Sequence, residues 1–452
     1  MSKFQVGFSK VNINPPLGIE IRGYYIPRTA KGFLDDLEIR CLAFGKDENT
    51  ILLFSVDSCG VDTDLVERFC DAIAKATGVP ADNVMISATH THTGPYLTTT
   101  DRFEVDIERV ARYVDFTESR IVDAAKLAIA DLKDAKMGYI VGYAPERVAY
   151  IRRYKMKDGS TLTCPPIGDP NIDHPIGELD QRVNVLRFDR EGGVSIALVN
   201  YGLHADTING ELLSADWPSY MYSTLKAALG IESIFFNGAE GDVGSTHVFP
   251  EGGDMNDTEI SFDNEMKSPG MARFVGHALA GTVLQVYDKA YFVDVDSIDI
   301  IKRDLMVPAN MPRPEDMPLA RKYAELHLAG KDDEIPYKAM QLTTVVAEAL
   351  RMVRMENGPT EFRLPMCGVR LGNVAFVGIP GEPFTDIGVQ IKTAEGYDMI
   401  MPCALTCGNE GYFPVESAYA EGGYEARTSP FKAGVADAIV NKAKEMLKEL
   451  KK

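Results

Sequence analysis

The sequence is short of residues that many protein classes depend on. One tryptophan, seven histidines and seven cysteines occur among 452 residues. The cysteines (41, 59, 70, 164, 367, 403 and 407) are odd in number and scattered, which suits reduced thiols rather than a disulfide framework. Basic charge is scarce: 47 Lys and Arg stand against 66 Asp and Glu, a net −19. Such a surface repels phosphate backbones and anionic lipid, so neither nucleic-acid binding nor stable membrane association is expected. No apolar run is long enough to span a bilayer, and residues 1–8 hold no apolar segment of the kind a secretory signal needs. The sequence therefore predicts a cytoplasmic protein. Familiar catalytic signatures are missing as well. There is no Gly-x-Ser-x-Gly elbow, no His-Glu-x-x-His helix and no Walker-type Gly-Lys-Ser/Thr, and no Gly-x-Gly-x-x-Gly follows the first strand.

What is present is a globular balance, 45% apolar and 25% charged. Strand-like apolar runs alternate with helix-like stretches, the pattern of α/β architecture. Strands are predicted over 51–56, 83–88, 194–201, 233–236, 374–379 and 399–405. Helices are predicted over 62–76, 116–136 and 434–452, the second with Ile121, Ala125, Ile129 and Leu132 on one face. The acidic stretch 250–269 reads as a loop. Residues 308–358 are punctuated by proline, then helical, and read as a lid or side subdomain.

The candidate chemistry lies where these strands end, the place where open α/β sheets bind ligands. His90-Thr-His92 follows one strand. On an extended backbone its two rings share a face, and imidazole suits zinc; a purely structural pair fits the residues equally well. His204 follows another strand, as a metal ligand or as a satisfied core histidine. Glu382, in Gly378-Ile-Pro-Gly381-Glu382, reads as a hard ligand, a base or a carboxylate at a helix start. The loop Gly238-Ala-Glu-Gly-Asp242-Val-Gly244-Ser245 is a plain turn or a set of N–H groups around an oxyanion. Tyr412 and Tyr424 follow the last strand. Trp217 packs in the core or shapes the crevice, and Cys403 and Cys407 read as structural.

Several of these segments fall in a recognisable order. Val11-Asn-Ile-Asn-Pro15, Gly23-Tyr24 and Asp36-Leu-Glu-Ile-Arg40 open the chain. Ala88-Thr-His90-Thr-His92-Thr-Gly-Pro95, the His204 loop, Gly241-Asp242-Val243, Pro380-Gly-Glu382 and Tyr412…Tyr424-Glu-Ala426 follow. In this order they resemble the catalytic domain of the neutral/alkaline ceramidase family, over essentially the whole chain. The resemblance implies mixed β-sheets flanked by helices, with a metal site at strand carboxyl ends. It implies one catalytic domain over 1–452 with a partly helical insert at about 308–358. The C-terminal β domain and signal peptide of secreted members are not expected.

The resemblance also implies a Zn2+ ion held by His90, His204, Glu382 and Tyr412. His92 then faces the substrate, and Tyr424 and Arg152 orient its oxygens. Arg153 competes with Arg152 for that place, because the family's preceding Asn is Ile151 here. Asp242 is expected to orient a ligand. The family's serine after Gly-Asp-Val is Gly244 here, with Ser245 one residue later, so direct acyl transfer to serine is not expected unless Ser245 takes its place. The implied activity is a zinc-dependent, amidohydrolase-like hydrolase. The charge and the missing signal point to a small polar N-acyl substrate rather than ceramide. Two alternatives stay open: a zinc-dependent lyase, isomerase or ring-opening enzyme on a sugar or cyclitol, and a non-catalytic small-molecule binder. A homo-oligomer also stays open.

Overall fold

Side-chain alternation decides the layers. Along one strand Leu42 and Phe44 point into one apolar cluster, and Ile39, Cys41 and Ala43 point into another. The next strand does the same, with Ile51 and Leu53 opposite Leu52, Phe54 and Val56. Both faces are covered, so both strands read as continuous apolar runs. The computed structural model describes residues 3–100, 105–249 and 267–452.

The larger sheet has nine strands among the described residues. They are β1 (Gln5–Asn12), β2 (Glu38–Lys46), β3 (Asn49–Val56), β4 (Val84–Ala88), β5 (Lys133–Tyr143), β6 (Arg182–Arg190), β7 (Ile196–Tyr201), β8 (Glu232–Asn237) and β9 (Tyr291–Val293). Their order is β8-β7-β6-β5-β1-β2-β3-β4, with β9 also pairing β5. A second sheet runs β10 (Ile298–Pro308), β11 (Glu361–Leu371), β12 (Val374–Gly378) and β13 (Met399–Cys403). Most pairs are antiparallel. The exceptions are β3 with β4, β7 with β8 and β12 with β13. The sheets are thus mixed, as expected.

The two sheets face each other across a core that includes Phe44, Phe188, Phe236, Phe376 and Met401. Helices α1 (Thr63–Thr77) and α2 (Ile107–Ala130) cover one half of the large sheet's outer face. Helices α3 (Trp217–Leu229) and α4 (Pro269–Val286) cover the other half. Between β10 and β11 lie α5 (Met317–Leu328) and α6 (Ala339–Met355), the helical part of the 308–358 stretch. Helices α7 (Thr385–Ile391) and α8 (Val435–Glu449) pack on the outer face of the second sheet. Among the described residues no helix is long and apolar enough to cross a membrane.

One helix differs from its prediction. The apolar period suggested 116–136, but α2 starts at Ile107, where the Asp106 side chain accepts from Arg109 N, and stops at Ala130. The next residue, Asp131, accepts from the backbone N–H of Phe8 in β1, and the chain turns into β5 to pair with β6. Tertiary pairing outweighs the local helical pattern there. Most of the predicted loop 250–269 lies outside the described residues; from Pro269 the chain is helical.

Candidate metal centre

The three parallel pairs all end at one place. His90 lies two residues beyond β4, His204 three beyond β7 and Glu382 four beyond β12. Backbone bonds lock the sheets together beneath them, Ala88 N to Leu405 O at 3.0 Å, Cys407 N to Ile86 O at 2.9 Å and Ala404 N to Asn237 O at 2.9 Å.

His90 and His92 do converge, but not on an extended backbone. His90 has φ 72°, a left-handed conformation that costs a non-glycine residue energy. The turn brings His90 Nε2 to 3.2 Å from His92 Nε2, with the rings edge to face. His90 Nδ1 lies 2.7 Å from the Cys59 carbonyl and donates to it, which aims Nε2 at the cluster. Gly23 makes the turn fit: a Cβ there would lie 2.8 Å from His92 Cβ. His204 is oriented in the same way, its Nδ1 donating to the Glu240 carbonyl at 3.0 Å. Trp217 does not stack in the crevice. It is fully buried, packs edge-on against Phe235 and donates to the His204 carbonyl.

Glu382 and Tyr412 are neighbours in a short parallel pairing, Glu382 opposite Tyr412. Glu382 Oε2 lies 3.2 Å from His204 Nε2 and 3.4 Å from His90 Nε2, yet has no hydrogen-bond partner among the described residues. Burial alone would raise its pKa, but the two imidazoles outweigh that and hold it well below the usual carboxylate range. Burial works equally against a charge on His90, where Glu382 prevails and raises the pKa. Two imidazole nitrogens and a carboxylate oxygen that converge in this way are donors of the kind that suit a divalent cation.

Arg152, not Arg153, faces this cluster. Its Nε donates to Glu425 Oε1 at 2.8 Å, Nη2 to Tyr412 Oη at 3.0 Å and to the Gly241 carbonyl, and Nη1 to His204 Nε2 at 3.1 Å. Arg153 points away to Glu421 and the Gly422 carbonyl. Tyr424 stands edge-on to Tyr412, ring centroids 5.6 Å apart. The Asp242 side chain holds the segment that follows Glu382 rather than the side chain of a ligand residue. Its Oδ1 accepts from Thr385 N and Oγ1, both at 2.8 Å, and so fixes the start of α7 just after Glu382.

Four residues of this region carry no role in the sequence reading. The first is Glu240. One of its oxygens, one of Glu382 and one nitrogen each of His90 and His204 lie within 4.8 Å of one another. The Gly-Ala-Glu-Gly-Asp loop suggested only backbone donors, which hid this side chain. The others are Tyr24, Asp206 and Lys267. Asp206 Oδ1 lies 3.5 Å from His92 Nδ1, and Lys267 Nζ donates to Asp206 Oδ2 and to Tyr24 Oη, both at 2.7 Å. Burial opposes the Asp206 charge, but His92 and Lys267 outweigh it and lower the pKa. Asp206 stands two residues from His204 and Tyr24 lies in a quoted motif, so both had a positional signal. Lys267 had none.

Gly241 sets the spacing. A Cβ there would lie 2.5 Å from the Glu382 carbonyl oxygen. Gly241→Ala is therefore expected to cost about 1–3 kcal/mol, the usual range for overpacking, and to displace Glu382. Urea denaturation together with metal titration checks both effects; wild-type behaviour in both would contradict this packing.

Above the cluster opens a cavity of about 260 Å³. His92, Arg152, Tyr424 and Asp206 line its base, and Met340, Leu342 and Val346 of α6 line its far side. Gly244 and Ser245 both reach its wall.

No family model matches this sequence, and no curated protein matches it. Solved structures do. A neutral ceramidase from Pseudomonas aeruginosa superposes with a TM-score of 0.70 at 16% identity, over 99% of this chain and 74% of that one. A ceramidase complexed with C2 superposes with a TM-score of 0.72 at 17% identity, over 99% of this chain and 75% of the other. In its fold, this chain is neutral ceramidase-like.

Proposed function

We propose that the protein is a metal-dependent hydrolase that cleaves an amide bond in a small polar N-acyl compound. The observation that carries this reading is the buried group of two imidazoles and unpartnered carboxylate oxygen at the foot of the cavity. His90, His204, Glu382 and Tyr412 would hold the ion, zinc in this reading, with the Nη1 arm of Arg152 giving way at His204. The ion supplies Lewis acidity, lowering the pKa of water and polarising a carbonyl.

The chain's own residues do the rest. Burial and the neighbouring histidines keep the His92 pKa well below 6.5, so its ring is neutral near pH 7. Asp206 faces Nδ1 and leaves Nε2 to accept a proton. Water adds to the acyl carbon, its proton passes to His92, the C–N bond breaks, and His92 returns the proton to the leaving nitrogen. Tyr424 and Arg152 orient the acyl oxygen. A cavity of about 260 Å³, below the usual range of roughly 300–1,000 Å³, supports a small substrate over a long acyl chain, and Asp206, Lys267 and Asp332 in its wall offer it polar partners. Helix α6 in its wall supports a lid role for the 308–358 insert. The acidic charge supports a cytoplasmic place without nucleic-acid partners.

Amine release from a panel of N-acyl amino acids, N-acyl amino sugars and short-chain ceramides tests this. Zinc-loaded protein is expected to release amine from a polar member and lose that activity on chelation. Turnover of ceramide alone would overturn the substrate class, and chelator-resistant turnover would overturn the metal.

A further inference from the structure

Glu240 is fully buried, and neither of its carboxylate oxygens has a hydrogen-bond partner among the described residues. Leaving a buried carboxylate unpaired costs several kcal/mol, and an apolar side chain would fill the same space without that cost. The nearby cations are committed elsewhere. Arg152 bonds Glu425, Tyr412, His204 and the Gly241 carbonyl, and Lys267 bonds Asp206 and Tyr24.

The backbone around Glu240 is nonetheless held firmly at the metal cluster. Its carbonyl accepts from His204 Nδ1, and the next residue's N–H bonds the Pro383 carbonyl at 2.9 Å. Gly241 packs directly on the Glu382 carbonyl, with no room for a Cβ between the loop and the Glu382 segment. The side chain therefore shares a few ångströms of space with His90, His204 and Glu382.

We infer that Glu240 is a further ligand of the metal centre, giving it two carboxylates and two imidazoles beside Tyr412. This rests on the metal site proposed above and adds a donor to it. Carboxylate-rich donor sets suit harder ions of higher coordination number better than the soft, four-coordinate sites typical of structural zinc. The site then prefers five- or six-coordinate divalent ions, and Mn2+ competes with Zn2+ better than at a site with one carboxylate.

Co2+ is the probe, because its visible bands are weak when five- or six-coordinate and intense when four-coordinate. Wild-type protein stripped of metal is expected to take up one Co2+ with weak bands. In Glu240→Gln, which keeps the side chain's shape, the bands intensify. Affinity for Co2+ falls at least about tenfold, the low end of what losing even an outer partner of a ligand costs. Melting curves guard against misfolding: the metal-free variant melts no lower than metal-free wild type, but Co2+ raises its melting temperature less. Unchanged affinity and spectrum in Glu240→Gln, with tight binding by wild type, would overturn the role of Glu240 alone. Failure of wild type to bind Co2+ would overturn the metal site, and this inference with it.

Discussion

Glu382→Gln abolishes stoichiometric metal binding and lowers kcat/KM on any substrate found by at least about a thousandfold. That factor corresponds to about 4 kcal/mol, within the several kcal/mol that a bound ion contributes to stabilising charge at a reacting carbonyl. Glu382 Oε2 lies between His204 Nε2 and His90 Nε2 and has no other partner. An amide of the same shape keeps the packing and removes the charge that draws a cation to the two rings. Folding is spared, because the backbone N–H of Glu382 still bonds the Gly411 carbonyl and Tyr412 still pairs beside it. Metal analysis, thermal melting and steady-state kinetics check the three parts. A Glu382 that served only the fold would give the opposite pattern, a lower melting temperature with metal and turnover intact.

Arg152→Met costs about 3–5 kcal/mol of stability, the penalty for leaving one partner of a buried ion pair alone. Glu425 has no solvent exposure and pairs with Arg152 Nε, with Thr163 as its other side-chain partner among the described residues. Lysine does not rescue the loss, because Arg152 uses Nε, Nη1 and Nη2 in different directions and an ammonium offers a single point. The neighbouring Arg153→Met provides a measured contrast. Its partner Glu421 is 29% exposed, so water takes over part of the lost contact and the cost is smaller. Denaturant titrations of the two variants side by side measure the difference; equal costs would show that the Arg152–Glu425 pair has no special place.

The sequence made the layout of this centre legible because strands end where ligands go. The strands at 84–88, 196–201 and 374–378 are buried along their length, and within four residues of their ends come His90, His204 and Glu382. What stayed hidden depended on partners distant in sequence. Extended alternation was the wrong reason for bringing His90 and His92 together, since a left-handed His90 does it. Strands β10 and β11 carry Lys302, Arg303, Asp304 and Arg363 among their apolar residues, and it is pairing across the sheet that makes them strands. Trp217 packs in the core, one of the two places open to it, but the helix that begins there, with Asp216 accepting from Trp217 N, was not predicted. Asp206 and Lys267 meet only in the fold, and Glu240 was read for its backbone. The residues that anchor ligands were thus easier to see than the residues that tune them.

The central claim is that one divalent ion sits among His90, His204 and Glu382. A crystal of zinc-loaded protein, measured on either side of the zinc absorption edge, tests it most directly. The account predicts a single strong anomalous peak about 2.0–2.2 Å from His90 Nε2, His204 Nε2 and a Glu382 oxygen, the usual zinc–nitrogen and zinc–carboxylate distances. A peak elsewhere, or an ordered cluster with no peak, would contradict it.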